Sequence, residues 1–119
     1  MKYAMLVYSD QSAWDGLSDE EAARMRAESM PRWISLFEEM GKADPSVQGR
    51  ELVSAAEAKV VRVVDGRTIV TDGPFAETKE QLGGYFVVDC ESLDEAIEAA
   101  GKLPTARHGS IEVRPLVER

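Results

Sequence analysis

Apolar and polar positions along the chain fall into blocks that predict six ordered stretches. Residues 2–8 are strand formers with large side chains on both alternation sets: Tyr3, Met5 and Val7 one way, Ala4, Leu6 and Tyr8 the other. A strand that is apolar on both faces is a central strand, covered on both sides. Ser18-Asp19-Glu20-Glu21 has the form of a capping box, in which a hydroxyl and a carboxylate satisfy orphan N–H groups at a helix start. The helix it opens carries Met30, Trp33, Ile34, Phe37 and Met40, close to the spacing of an amphipathic stripe. Pro31 falls inside that pattern and either kinks one helix or splits two, because it lacks an N–H and crowds the preceding turn. Gly41 is the expected stop.

Residues 42–58 hold no clean period. Asp44-Pro45 and Gly49 mark turns, and the stretch reads as a long connection with irregular strand around Leu52. Two β-rich runs, 60–64 and 67–72, then flank Asp65-Gly66, the dipeptide of a type I′ hairpin. A two-residue turn there pairs Val64 with Arg67 and Val61 with Val70. After the loop 73–84 comes a strand at 85–90, then a second capping box, Ser92-Leu93-Asp94-Glu95. Its helix has the stripe Leu93, Ala96, Ile97 and Ala100, closed by Gly101 and, beyond it, Pro104. The last strand, 110–116, alternates Ile111 and Val113 with Glu112 and Arg114. With no repeat and no linker, residues 1–119 read as one domain.

The order strand, helix, hairpin, strand, helix, strand fits an α+β, ferredoxin-like plan. It predicts an antiparallel sheet in the order 4-1-3-2, two main helices on one face and an extra β-hairpin strand. Arg62, Arg67, Glu112 and Arg114 among Val and Ile on the opposite face suit a second subunit packed sheet to sheet, so a homodimer is expected.

Composition sharpens this by exclusion. Of 119 residues 44% are hydrophobic, enough for a real core. A net charge of -8 argues against direct nucleic-acid binding, which needs a basic surface. The apolar runs are too short for a membrane span, and the N-terminus lacks the form of a signal peptide, so a cytoplasmic protein is expected. One cysteine and one histidine exclude an internal disulfide, a thiolate zinc cluster and a poly-histidine metal site. No metal and no cofactor are expected.

The predicted topology also locates chemistry. If 2–8 and 68–72 run parallel, and 85–90 and 110–116 antiparallel to them, four pieces of chain meet at one sheet edge. They bring Asp10, Asp72, the 73–82 loop with Glu77 and Lys79, and His108 together as the lining of a small-molecule cleft. His108 is a candidate general base, since imidazole titrates near neutrality and Asp72 or Asp10 could orient it. The alternative is a surface histidine before a strand, and Asp72 equally fits a turn-shaping role. Lys79, Glu77 and Arg107 are candidate substrate-binding groups, the two cations for an anionic ligand; the plainer reading is a solvated loop and an arginine paired with some acid. Gly73-Pro74-Phe75 reads as structural, with Phe75 anchoring the loop in the core, and Cys90 as inert.

The run 61–89, with Asp-Gly-Arg-Thr-Ile-Val-Thr-Asp-Gly-Pro-Phe-Ala-Glu-Thr-Lys-Glu-Gln-Leu-Gly-Gly-Tyr-Phe-Val-Val-Asp from 65 onward, the clean second helix and Ala-Arg-His-Gly-Ser-Ile-Glu-Val-Arg-Pro-Leu (106–116) resemble the DGPF-motif branch of the YCII-related family. The likeness covers nearly the whole chain, with 42–58 fitting least well. It implies a ferredoxin-like domain of the dimeric α/β-barrel type and a His–Asp pair. It further implies relatives in dehalogenation or muconolactone-type chemistry, and an association with extracytoplasmic-function sigma factors. The family pattern places its histidine nearer the first helix, where this chain has none, and His108 is the one histidine to which that role could pass. The expected function is a polar cleft, with His–Asp acid/base chemistry on a small anionic organic molecule. The alternative is a non-catalytic metabolite-sensing or sigma-factor-associated regulatory module.

Overall fold

A computed structural model describes residues 1–43 and 48–119. Strand β1 (Lys2–Asp10) leads through a short helix, α1 (Ser12–Asp15), into the long α2 (Asp19–Ala43). Strand β2 (Gln48–Glu51) and a 3-10 turn (Ala55–Glu57) precede the hairpin β3 (Lys59–Val64) and β4 (Arg67–Asp72). The chain ends with β5 (Glu80–Asp89), α3 (Leu93–Gly101), a second 3-10 turn (Pro104–Arg107) and β6 (Ser110–Pro115).

Four strands form an antiparallel sheet in the order β2-β5-β1-β6, which is the expected ferredoxin-like order with β1 central. Tyr3, Met5 and Val7 of β1 and Phe86 and Val88 of β5 share one buried face with Leu36 of α2 and Ala96, Ala100 and Leu103. Burial of that apolar set is the main favourable term in folding. Trp33 and Phe37 of α2 pack their rings on Phe86, with centroids 5.8 and 5.2 Å away. Pro31 lies inside a single helix. At 25 residues α2 is about 37 Å long, and its apolar contacts with the core, Trp33, Leu36, Phe37 and Met40, all come from its second half. Met30 and Ile34, expected on the buried stripe, stand on its flank and are exposed, while Leu36 takes the buried place. The helix also runs through Gly41, the expected stop. The turn expected at Asp44-Pro45 lies outside the described residues.

Both capping boxes form their side-chain caps. The Glu21 N–H donates to Ser18 Oγ at 3.1 Å, and the Glu95 N–H to Ser92 Oγ at 3.2 Å. The hairpin register is as read, Val64 opposite Arg67 and Val61 opposite Val70. Asp65 and Gly66 have φ of 51° and 76°, the left-handed pair that a type I′ turn requires.

Three expectations are corrected. The hairpin adds no strand to the main sheet: β3 and β4 form a separate two-stranded sheet, and the second strand of the ferredoxin order is β2, inside the stretch read as a connection. Four residues containing a glycine and three polar side chains carry no period for pattern reading to find. Second, the barrel is overturned. The four-stranded sheet is open, with β2 and β6 at its edges, and among the described residues no sheet closes on itself. Third, the homodimer loses the face on which it was argued. Arg62 and Arg67 lie on the detached hairpin, so they share no sheet surface with Glu112 and Arg114.

The hairpin stands out as an arm. Every residue of β4 is exposed, as is every residue of β3 except Val60. The radius of gyration is 16.3 Å, against about 13.5 Å for a compact domain of this length. Phe75, expected as a core anchor, is 77% exposed and lies against the Arg62 guanidinium, 5.4 Å from its ring. The apolar stripe of α3 is divided: Ala96 and Ala100 are buried, Leu93 and Ile97 open.

Candidate functional site

The end of β1, the start of β5 and the start of β6 do meet at one sheet edge. Asp10 is opposite Glu80, and Tyr8 is opposite Ser110. Beside this edge lies a solvent-open cleft of about 460 Å³. Its walls come from three places: Asp10, Gln11, Ser12 and Asp15 after β1, Ala55 and Ala56 before β3, and the 74–81 stretch with Glu77, Thr78, Lys79 and Gln81.

Local sequence explains each wall. Ser12 turns the chain back on Asp10, whose Oδ1 accepts from the Ser12 N–H at 3.0 Å and from its hydroxyl at 2.6 Å. Those two donors, with the Lys79 ammonium nearby, hold the Asp10 carboxyl below the usual carboxylate range. Asp10 is therefore an anion at neutral pH. The loop wall is braced internally by Gln81, whose Nε2 donates to the carbonyls of Ala76 at 3.0 Å and Thr78 at 2.9 Å. Thr78 in turn donates its hydroxyl to the Glu80 carbonyl. The inner wall is fixed by Gln11, which accepts from the Ala55 N–H at 2.8 Å and donates to the Leu82 carbonyl at 3.4 Å. Asp15 accepts from Ser54 Oγ at 2.8 Å. Trp14 of α1 is held from behind by Arg26, 5.2 Å from its ring, and Arg26 pairs with Glu51 at 3.1 Å.

Of the six residues singled out from sequence, Asp10, Glu77 and Lys79 line the cleft. Asp72 sits at the arm's base, exposed and ion-paired with Lys59, because β4 belongs to the hairpin rather than to the sheet edge. His108 follows the turn that ends at Arg107, and both side chains are exposed. Neither is among the cleft's lining residues. Among the described residues neither Asp10 nor Asp72 hydrogen-bonds to the His108 imidazole; Asp10 accepts from Ser12, and Asp72 pairs with Lys59.

Gln11, Asp15, Thr78 and Gln81 were missed. Only the polar run Ser9-Asp10-Gln11-Ser12, directly after an apolar strand, signalled Gln11. Residues 55 and 56 gave no signal, since two alanines name no chemistry. Among the described residues no group of three His, Cys, Asp or Glu side chains is placed to hold a metal ion, and no helix is long and apolar enough to cross a membrane.

A second feature lies on the face of the sheet away from the helices. Tyr8 donates to Glu112 at 3.3 Å, and Arg114 donates to the same carboxylate. Burial, and then the charge and hydrogen bond of Glu112, push the Tyr8 phenol above its usual value.

The profile of the YCII-related domain matches residues 1–119. An uncharacterised protein of Rhizobium meliloti (strain 1021) is 44% identical over 121 residues, covering 98% of this chain and 92% of that protein. On both findings, the chain belongs to the YCII-related family.

Proposed function

We propose that this protein is a non-catalytic binding module whose cleft takes a small, polar, amine-bearing metabolite. The charge of the lining carries this reading. Asp10, Asp15 and Glu77 set three carboxylates against the single ammonium of Lys79 among the described lining residues. Two unit charges about 4 Å apart interact by roughly 1 kcal/mol in water and about 4 kcal/mol near a protein surface, so an excess of two negative charges selects for a cation and against an anion. Asp10 is held ionised, which suits it to receive an ammonium and unsuits it as a proton donor. Ser12, Thr78 and Gln81, whose donors are already engaged within the protein, present hydroxyl and amide oxygens as further acceptors, which suits a ligand rich in N–H groups.

Acid/base chemistry on an organic anion is the weaker reading. It needs His108 beside a carboxylate, and the imidazole lies outside the lining. The DGPF-motif branch is part of the proposal as well: Pro74 of Asp72-Gly73-Pro74-Phe75 lines the cleft, giving the motif a place at the binding site.

The test is calorimetric titration with a small diamine, putrescine, and a small dicarboxylate, succinate, at matched ionic strength. Putrescine should bind, and Asp10→Asn should weaken it by about tenfold, the equivalent of one charge-assisted hydrogen bond of roughly 1.5 kcal/mol. Succinate binding that exceeds putrescine binding, or that survives Asp10→Asn while Lys79→Ala removes it, would overturn the amine reading.

A further inference from the structure

The cleft and the exposed arm share their walls. The inner wall, Ala55 and Ala56, is the segment that enters β3, and the outer wall from Pro74 onward is the segment that leaves β4. The two roots are joined to each other, since the Gly73 N–H donates to the Ala58 carbonyl at 2.8 Å. Beyond that point both strands stand clear of the main sheet. The entering root is tied back to the body by two side chains. Ser54 donates to Asp15 on α1, and Ala55 donates its backbone N–H to Gln11.

Gln11 is the tie of larger reach. It occupies the N-cap position of α1 but makes no capping bond there. Its carboxamide is spent instead on groups 44 and 71 residues away, accepting from the arm root and donating to Leu82 of β5. A carboxamide is one of the few side-chain groups with a donor and an acceptor on the same planar end. It can therefore join an N–H of the inner wall to a C=O of the central sheet.

We propose that Gln11 is a positioning residue that fixes the root of the β3–β4 arm to the central sheet, and thereby sets both the inner wall of the cleft and the orientation of the arm. The entering segment has two further ties, the Leu52 N–H on the Gly83 carbonyl at 2.8 Å and Ser54 on Asp15, but Gln11 is the one that acts nearest β3, and an isolated hairpin is marginal in water. The inference stands on the tie itself and does not depend on what the cleft binds.

The experiment is backbone amide exchange together with residual dipolar couplings, on wild type, Gln11→Ala and Gln11→Glu. In wild type the Ala55 amide is protected, and arm and sheet couplings fit one common orientation. Gln11→Ala should speed Ala55 exchange by about fivefold or more, the worth of one neutral hydrogen bond. It should also detach the arm's couplings from those of the sheet, while the amides of Met5 and Val88 keep wild-type rates. Gln11→Glu keeps an acceptor for Ala55 and should retain its protection. Unchanged Ala55 exchange and arm orientation in Gln11→Ala would overturn the proposal. So would equal acceleration at Ala55, Met5 and Val88, which would mark a general loss of stability.

Discussion

Gly49→Ala tests whether β2, rather than the hairpin, is the fourth strand of the sheet. Gly49 lies opposite Phe86, and a β-carbon built on it falls 2.4 Å from Cδ1 and 2.8 Å from Cε1 of that ring. Ordinary contact begins near 3.4 Å, so the ring must recede by about 1 Å. It has no free direction: Phe86 is buried, with the rings of Trp33 and Phe37 packed on it at 5.8 and 5.2 Å. Overpacking of this kind costs about 1–3 kcal/mol. At roughly 4 °C per kcal/mol for a domain of this length, a cost near 2 kcal/mol lowers the Tm by about 8 °C. Differential scanning calorimetry on wild type, Gly49→Ala and Val53→Ala measures it. Val53 is exposed nearby, and its truncation should move stability by no more than about 0.5 kcal/mol. If residues 48–51 were an open connection, alanine would meet no ring and would leave the Tm unchanged or raise it. That result would refute the β2 placement.

Met5 is fully buried at the centre of the core, so Met5→Ala should cost about 2–5 kcal/mol, read as a lower midpoint in urea with little change in slope. Gly66→Ala forces a side chain onto φ of 76° and should cost the hairpin about 1–2 kcal/mol. Exchange should quicken in β3 and β4 while the unfolding of the four-stranded sheet stays in place; a fall in the sheet's own stability would contradict a separate arm. Asp10 contributes a pH dependence whose sign follows from its lowered folded-state pKa. The unfolded chain takes up the proton first as pH falls, so the stabilisation is complete above the unfolded-state value and is lost as pH falls through the folded-state one. Asp10→Asn should flatten that part of the acid limb in urea titrations between pH 5 and 2, and superimposable limbs would refute the Ser12 and Lys79 account.

What was legible in sequence followed the strength of each local signal. The apolar run at 2–8 identified the central strand, although only its Tyr3, Met5 and Val7 face is buried and Ala4, Leu6 and Tyr8 on the other face are half-buried. Asp65-Gly66 fixed the hairpin and its register, since few dipeptides accept two left-handed residues in succession. Both capping boxes marked helix starts. The failures share another cause. A turn dipeptide specifies how two strands pair with each other but not which sheet they join, so the hairpin was assigned an edge that β2 occupies. That error carried Asp72 into the site, where the structure has it paired with Lys59 at the arm's base. Asp10, Glu77 and Lys79 do line one cleft because they depend on the ends of β1 and β5, which pair antiparallel as the pattern predicts. Gln11 stayed hidden, because a glutamine after a strand shows nothing of partners 44 and 71 residues away.

The arm also bears on how this protein behaves in concentrated solution. Val61, Val63, Val64, Ile69 and Val70 lie exposed on two strands whose outer backbone edges pair with no other strand among the described residues. Short β-branched stretches of this kind are templates for edge-to-edge pairing between molecules. The net charge of -8 supplies the opposing force, a long-range repulsion that keeps neighbouring arms from meeting. That repulsion fades with added salt and vanishes near the isoelectric point of about 4.7. Turbidity should therefore rise in a narrow band around that pH and clear on either side. The acidic excess acts in this setting as a colloidal shield for a β-ribbon that the fold itself leaves uncovered.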